Sequence, residues 1–346
     1  GFPALAAAEH VNRVVLSGTD VNGVTTGFSF NAVTSTLDDP AAGAFGGAGA
    51  WSSFDADAAG IGVKPVGYKN AVSDGRYVYF APSQRPGGRH GEVLRYDTTG
   101  AYTAASSWSS YDAGDDGVGT DPDGYSGAVF DGRYVYFIPE DNGSGPHAEV
   151  LRYDTTGAFG ASSSWDAFDP GDYGVGTDPD GYSGASFDGR YLYLAPSVSD
   201  GGPHGQVLRY DTHAAFTTPG GWSTFDPAAN GVGSDARGFS AVLFDGRYMY
   251  FAPLRNTGGA SGEVLRYDTQ AAFGTAGSWT AFDPSANGVG THPAGFGAMA
   301  WDGRYVYFAP TDSGSGPSGE VLRLDTTGAF AAAGSWSAFD PGAAGL

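Results

Sequence analysis

The sequence predicts an all-β fold, a β-propeller built from four-stranded antiparallel blades. Three observations support this prediction: a repeat of 57 residues, four strand-like segments in each repeat, and no sustained helical periodicity. A fixed period of roughly 40–60 residues is typical of repeat architectures. Tryptophan marks the period most clearly, at Trp51, Trp108, Trp165, Trp222, Trp279 and Trp336.

The strands are clearest in residues 121–169. We predict strand a over 123–131, strand b over 133–139, strand c over 148–154 and strand d over 164–169, because these segments are rich in Tyr, Val, Phe and Trp. The Asp-Gly pair between a and b is a strong hairpin signal, since a tight primed turn needs a positive φ. No segment keeps an apolar period of 3.6 residues, so helices should be nearly absent.

Four antiparallel strands per repeat of this length describe a propeller blade. A blade is covered by neighbours on both faces, so its middle strands should be apolar almost throughout, as in Tyr134-Val-Tyr-Phe-Ile. The alternative is a linear solenoid of β units, whose turns are usually much shorter than 57 residues.

The pattern allows two ways of counting the blades. Five complete repeats span 56–340, and a less regular segment precedes them. We interpret 11–55 as a divergent first blade, which makes six blades; a five-bladed ring with an N-terminal arm, able to pair with the sheet edge of another subunit, is the alternative. The regular blades are 56–112, 113–169, 170–226, 227–283 and 284–340, with tails at 1–10 and 341–346.

Composition restricts the partners. The chain of 346 residues has a formal net charge of −21, so it lacks the basic footprint that binding to nucleic acid requires. Cysteine is absent, and no apolar run approaches the ~18 residues of a membrane-spanning helix. We therefore expect neither nucleic-acid binding nor membrane insertion. Low lysine content and a Gly/Ser/Thr/Asp-rich repeat favour an extracellular or cell-surface protein of bacterial origin.

Three segments recur in order: Phe-Asp-Gly-Arg-Tyr-Val-Tyr-Phe, Val-Leu-Arg-Tyr-Asp-Thr and Ser-Trp-x-x-Phe-Asp. This pattern resembles tandem repeats of bacterial β-propeller proteins of unassigned function, and more loosely it is similar to kelch-type and lectin-type propellers. The resemblance implies a propeller and no particular reaction, because such folds include lectins, scaffolds and enzymes. The kelch double glycine and the Gly-His/Trp-Asp pair of WD40 blades are missing.

Propeller connectivity places the variable b–c and d–a loops on one face, where function is expected. Three histidines share one slot of consecutive repeats, and we interpret them as solvated loop residues that cap a turn. A ring of glycan-contacting side chains is the rival interpretation. Its candidate ligands are His90, His147, His204, Glu92, Glu149, Glu263, Glu320, Tyr125 and Tyr182.

Two Asp-Pro-Asp-Gly segments resemble short calcium loops. Calcium takes about 6–8 oxygen ligands, so two carboxylates are insufficient alone, and a proline-fixed turn is the structural interpretation. No cofactor is required by the sequence, and calcium is the one candidate. Its predicted ligands are Asp121, Asp123, Asp178 and Asp180.

The recurring arginines and tryptophans have structural interpretations. Arg95 and its four repeats lie two residues before an aspartate, hence on the same strand face, and we predict ion pairs that lock neighbouring blades. The tryptophans are predicted to pack between blades rather than to serve as sugar platforms.

Enzyme motifs are missing: there is no His-Glu-x-x-His, no Gly-x-Ser-x-Gly and no phosphate-binding loop. The copies are also very alike, whereas an active site is unique. We therefore predict a non-enzymatic, secreted or cell-surface interaction or structural module whose partner is another protein or a further copy of itself. A multivalent carbohydrate-binding lectin is the alternative, with glycans as partners.

Overall fold

The computed structural model describes residues 14–19, 25–30, 48 and 51–345. In the N-terminal region, strands β1 (Val14–Thr19) and β2 (Thr25–Phe30) form an antiparallel hairpin. Apart from residue 48, the rest of the predicted divergent blade up to residue 50 and the tail 1–10 lie outside the described residues. The choice between six blades and five plus an arm therefore stays a prediction.

Residues 51–345 form five four-stranded antiparallel sheets, each in the order a-b-c-d, so the all-β prediction is confirmed. The first blade contains β3 (Tyr68–Ser73), β4 (Tyr77–Pro82), β7 (Glu92–Asp97) and β8 (Trp108–Asp112), with β5 (Gln84–Arg85) and β6 (Gly88–Arg89) as a ribbon between b and c. The second contains β9 (Tyr125–Phe130), β10 (Tyr134–Pro139), β11 (Val150–Asp154) and β12 (Trp165–Phe168).

The third blade contains β13 (Tyr182–Phe187), β14 (Tyr191–Pro196), the ribbon β15 (Val198–Ser199) and β16 (Gly202–Pro203), β17 (Val207–Asp211) and β18 (Trp222–Phe225). The fourth contains β19 (Phe239–Phe244), β20 (Tyr248–Pro253), the ribbon β21 (Arg255–Asn256) and β22 (Gly259–Ala260), β23 (Val264–Asp268) and β24 (Trp279–Phe282). The fifth contains β25 (Phe296–Trp301), β26 (Tyr305–Pro310), β27 (Val321–Asp325) and β28 (Trp336–Phe339).

Helical structure in residues 51–345 is limited to single 3-10 turns. Five of these turns directly precede a d strand, where they redirect the chain before the repeat tryptophan. The turns are Ala105–Ser107, Ser162–Ser164, Gly171–Tyr173, Pro219–Gly221, Ala276–Ser278, Ser285–Asn287 and Ala333–Ser335.

The Asp-Gly turn between strands a and b is held by its aspartate. In the second blade Oδ1 of Asp131 accepts hydrogen bonds from the backbone N–H groups of Arg133 (2.8 Å) and Tyr134 (2.7 Å). Its Oδ2 accepts one from the hydroxyl of Tyr136 at 2.8 Å. Gly132 has a φ of +106°, a conformation that residues with a side chain avoid. The predicted hairpin is thus fixed by one side chain that caps the turn and anchors the core tyrosine.

Consecutive blades pack through aromatic rings. We call the side of a blade that contacts the next blade its front face, and the other side its rear face. At the junction of the third and fourth blades, Phe225 on the front face stacks on Trp279 at 5.6 Å. Trp279 is 4% exposed, and its indole N–H donates to the carbonyl of Phe273 at 2.9 Å. The tryptophans at blade junctions are therefore packing residues, as the sequence predicts.

The predicted Arg95–Asp97 type of ion pair is wrong. Asp97 instead pairs with Arg76 of the a–b turn at 2.7 Å, and Arg95 lies between the rings of Tyr77 (4.3 Å) and Phe159 of the next blade (4.1 Å). Two residues along a strand do share a face, but Asp97 lies opposite Tyr77 in the sheet, so Arg76, the residue before Tyr77, reaches its carboxylate. The strand arginine locks neighbouring blades by cation–π contact rather than by charge pairing.

The inner a strands of successive blades pack on one another from β3 to β25. Within residues 51–345 no comparable packing joins β25 back to β3. Strands β3 and β25 are correspondingly more exposed than the a strands between them. The described blades thus form a propeller-like row, in which the front face of the fifth blade is exposed and the rear face of the first blade is covered in part by Phe54.

Candidate functional site

The b–c connections and d–a loops meet on one side of each blade junction, as propeller connectivity predicts. At the first junction the N–H of Gly124 donates to the carbonyl of His90 at 3.2 Å, and the N–H of Asp141 donates to the carbonyl of Gly124 at the same distance. A Cβ added to Gly124 would lie 1.8 Å from the carbonyl oxygen of Asp141. Only glycine permits this approach, which ties the d–a loop to the b–c connections of both blades.

A polar cavity of about 260 Å³ lies at the first junction, between the first and second blades. Its walls come from the b–c connection of the first blade, from the end of strand β8, and from the d–a loop. Almost every lining group is polar, and four of them are carboxylates. The lining residues are Arg85, His90, Asp112, Gly114, Asp115, Thr120, Asp121, Pro122 and Asp123.

The four predicted glutamate ligands are buried, and their carboxylates already accept hydrogen bonds from backbone N–H groups. Glu149, at the start of strand c, accepts hydrogen bonds from the N–H groups of Thr120 (2.7 Å) and Asp121 (2.9 Å). Glu263 and Glu320 hold the following d–a loops in the same way. Glu92 accepts from Val63 and from the guanidinium of Arg85. These carboxylates position the loops that form the cavity walls.

Substitution of this glutamate tests its role. Glu149→Ala should lower the free energy of unfolding by about 2–3 kcal/mol, because two buried N–H groups lose a charged acceptor. Glu149→Gln should cost about 1 kcal/mol, since one acceptor oxygen remains. Gln206 occupies this position in the third blade and accepts a hydrogen bond from Thr177 at 2.9 Å. Urea unfolding measures both; equal losses for the two variants would contradict a hydrogen-bonding role.

The interpretation of the three histidines as solvated loop residues is wrong. His90, His147 and His204 are only 1%, 7% and 8% exposed, because each ring packs beside the first aromatic ring of its own a strand. The neighbouring rings are Tyr68 (5.6 Å) and, in the next two blades, Tyr125 (6.0 Å) and Tyr182 (5.6 Å). Burial lowers the pKa of His147 to about 4, so the imidazole is neutral at physiological pH.

Several of these buried polar atoms lack a hydrogen-bond partner. Both ring nitrogens of His90 and of His147 are unpaired, as are the hydroxyl groups of Tyr125 and Tyr182. An unpaired buried polar group costs roughly 1–3 kcal/mol, so native proteins seldom keep one without reason. Tyr125 lies at the first junction, where it feels the charges of Glu149, Asp123 and Asp112, whereas Tyr182 lies at the second junction and feels those of Asp180, Asp169 and Asp178.

The predicted calcium ligands lie in the d–a loops. The N–H of Asp123 donates to the carbonyl of Asp121 at 2.9 Å, which is the proline-fixed turn of the structural interpretation. Burial and the neighbouring carboxylates raise the pKa of Asp123 to about 6 and that of Asp180 to about 7. Within the described part of the chain, no group of three or more acidic or histidine side chains is arranged to hold a metal ion. Asp178 contributes by repulsion to the pKa of Asp180.

The sequence did not single out Asp112 and Arg85, which line the cavity, or Gly91, which follows the cavity-lining His90. Asp112 is the last residue of β8 and the aspartate of the Trp-x-x-Tyr-Asp motif. The motif alone does not indicate a function for this aspartate. Burial and the nearby Asp115 raise the pKa of Asp112. A stronger signal was available for the histidines: tyrosine opens strand a wherever the b–c slot holds histidine, and phenylalanine opens it wherever that slot holds serine, as in Phe239 with Ser261.

Comparison with known proteins identifies no family for this chain. No protein-family model matches the chain, and no curated protein is similar to it. Among solved structures, it is similar to a crystal structure of the computationally designed Ika8 protein, with a TM-score of 0.44 and 11% identity. The matched region covers 75% of this chain and 58% of the designed protein. No helix in the described residues is long and apolar enough to cross a membrane.

Proposed function

We propose that this protein is a non-enzymatic structural module, acting outside the bacterial cell or on its surface, that assembles end to end. The front face of the fifth blade of one copy packs on the rear face of the first blade of the next. The observation that carries this proposal is the exposed front face of the fifth blade, which has the side chains of every other junction and no following blade within residues 51–345. The extracellular location rests on composition alone.

The front face of the fifth blade is exposed at each junction position. Phe339 is 55% exposed, whereas its repeats Phe225 and Phe282 are each 8% exposed. Tyr307 is half-buried, although its counterparts in the other four blades are at most 1% exposed. Arg323 is exposed and retains the ring of its own blade, Tyr305, at 4.4 Å. A face of this kind resembles a domain core cut in half, which is typical of self-associating surfaces.

The rear face of the first blade offers a complementary surface. Tyr102 is 38% exposed, while Phe330, at the same position of the fifth blade, is 3% exposed beneath the guanidinium of Arg266 at 4.4 Å. Phe54 stacks on Trp108 at 5.0 Å, the contact that Phe225 makes with Trp279 within the chain, so a second copy would have to displace Phe54 to bring Phe339 onto Trp108. A second copy could therefore place Arg323 over Tyr102, as the junctions within the chain do. This contact joins two different surfaces, and such heterologous contacts form open chains unless they close into rings.

The carbohydrate-binding alternative has weaker support. Its predicted glutamate ligands are occupied by backbone N–H groups, and the junction tryptophans are covered by the preceding blade. An enzymatic function is not favoured, because no single pair of carboxylates stands apart from the many acidic side chains of the chain. Binding to another protein through the same end faces would leave the chain monomeric by itself.

Sedimentation velocity over a range of concentrations tests the assembly. We expect the wild-type protein to form dimers and longer chains as its concentration rises. Phe339→Glu should weaken association at least about 100-fold, because a charge replaces the central ring of the contact. Val198→Glu is the matched control: Val198 is 37% exposed on the ribbon of the third blade, away from both ends, so this variant should assemble normally. A wild-type protein that stays monomeric at every concentration would refute self-assembly.

A further inference from the structure

The cavity at the first junction contains an excess of carboxylates over positive charges. It is lined by Asp112, Asp115, Asp121 and Asp123. Arg85 is the basic residue of the lining, and its guanidinium is engaged by Glu92 at 2.9 Å. Burying like charges together is costly unless a cation compensates them. The wall of the cavity therefore has the chemistry of a cation site.

Oxygen atoms from three residues converge on Gly91, which follows the cavity-lining His90 in the chain. A Cβ added to Gly91 would lie 2.8 Å from Oδ1 of Asp123, 3.1 Å from Oδ1 of Asp112 and 2.6 Å from the carbonyl oxygen of Pro122. Two carboxylates and a backbone carbonyl are oxygen ligands of the kind that calcium prefers. The missing side chain at Gly91 leaves these oxygens accessible from the cavity.

Unpaired polar groups of the junction point to a ligand independently of the acidic cluster. His90 lines the cavity, is 1% exposed, and has no hydrogen-bond partner on either ring nitrogen. The hydroxyl of Tyr125 is fully buried and also unpaired, within the electrostatic reach of Asp112 and Asp123. The ring of His90 lies beside the backbone of Gly67 and Val66, so the Tyr125 hydroxyl is the group that faces the proposed ligands. A water molecule on a bound ion could accept a hydrogen bond from this hydroxyl and so satisfy it.

At the third junction the chain itself compensates the negative charge of the carboxylates, without a ligand. Arg237 takes the repeat position of Asp123 and forms an ion pair with Asp235. The tyrosine hydroxyl is also lost there, since Phe239 replaces Tyr125. The built-in cation and the missing hydroxyl appear together, as expected if the first junction takes its cation from solution.

We propose that the first junction binds one calcium ion through the carboxylates of Asp112 and Asp123 and the carbonyl of Pro122, with water completing the coordination. The second junction keeps its carboxylates, but Ala148 replaces Gly91 and its methyl group occupies the space. The proposal is therefore confined to the first junction. It is independent of end-to-end assembly, because the cavity lies within one chain.

Isothermal titration of the EDTA-treated protein with calcium chloride tests this proposal. We expect saturable binding of one ion per chain, with a Kd on the order of 10⁻⁴–10⁻³ M, the range of extracellular calcium modules. Asp123→Arg should copy the third junction: it should abolish the calcium signal and raise the melting temperature measured in EDTA. Asp123→Asn, which keeps the size of the side chain, should weaken binding at least about tenfold.

Asp116→Asn is the matched control, because Asp116 lies in the same loop, bonds the hydroxyl of Tyr111, and does not line the cavity. It removes one negative charge and should bind calcium like the wild type. Absence of saturable binding by the wild type, or equal binding by Asp123→Asn, would overturn the proposal. Equal loss of binding in Asp116→Asn would also overturn it, by showing that calcium responds only to net charge.

Discussion

Replacing Trp279 with alanine should lower the free energy of unfolding by about 3–5 kcal/mol, the usual cost of removing a buried tryptophan side chain. Trp279 lies at the junction of the third and fourth blades, where it contacts rings from both. Besides Phe225 of the preceding blade it packs on Tyr267 at 4.5 Å and Phe273 at 5.6 Å. The variant would leave a cavity among rigid rings and an acceptor, the carbonyl of Phe273, without its indole donor.

Trp51→Ala is the control for this prediction. Trp51 has the same repeat position but is 62% exposed. Its replacement should therefore cost much less, about 1 kcal/mol or below. Urea unfolding followed by tryptophan fluorescence and by circular dichroism measures both variants. If the two losses are similar, the tryptophans contribute through local strand preference rather than through packing between blades.

The strands of the fold could be predicted because their determinants are local. Strand b was predicted over 133–139 and is Tyr134–Pro139, since the Asp-Gly turn before it and the proline at its end are both visible in the sequence. The two-residue ribbon Gln84–Arg85 with Gly88–Arg89 was missed. It is too short to show an alternating pattern, and its loop sequence differs between copies.

The open row of the five described blades could not be predicted, because closure depends on how each blade is oriented relative to the next. That orientation comes from contacts such as Tyr79 with Phe159, which are identical in a closed ring and in an open row. The burial of the histidines could not be predicted for a different reason. A loop position normally implies solvent, but His147 is covered by Tyr125 from a strand 22 residues earlier in the chain. A local sequence pattern does not show a contact between residues this far apart. The signal for it is that Tyr occurs with His, and Phe with Ser, at these two positions of each repeat.

Arginine substitutions should distinguish an interior junction from an open end. Arg209 lies between Tyr191 of its own blade at 4.3 Å and Phe273 of the next blade at 4.1 Å. Arg209→Ala should cost about 2–3 kcal/mol, because a half-buried guanidinium loses two ring contacts and its aliphatic stem loses its packing. Arg209→Met should recover part of this loss, since its unbranched chain keeps the packing without the charge.

Arg323→Ala provides the matched comparison at the end of the row. Both arginines donate to a serine of strand d, Arg209 to Ser223 at 3.3 Å and Arg323 to Ser337 at 3.2 Å. Because Arg323 has no following blade in the described chain, its replacement should cost about 0.5 kcal/mol or less in dilute solution. At concentrations where the protein assembles, the cost should rise toward that of Arg209, since a second copy supplies the missing ring. A large cost for Arg323→Ala at every concentration would mean that the front face of the fifth blade is covered within one chain.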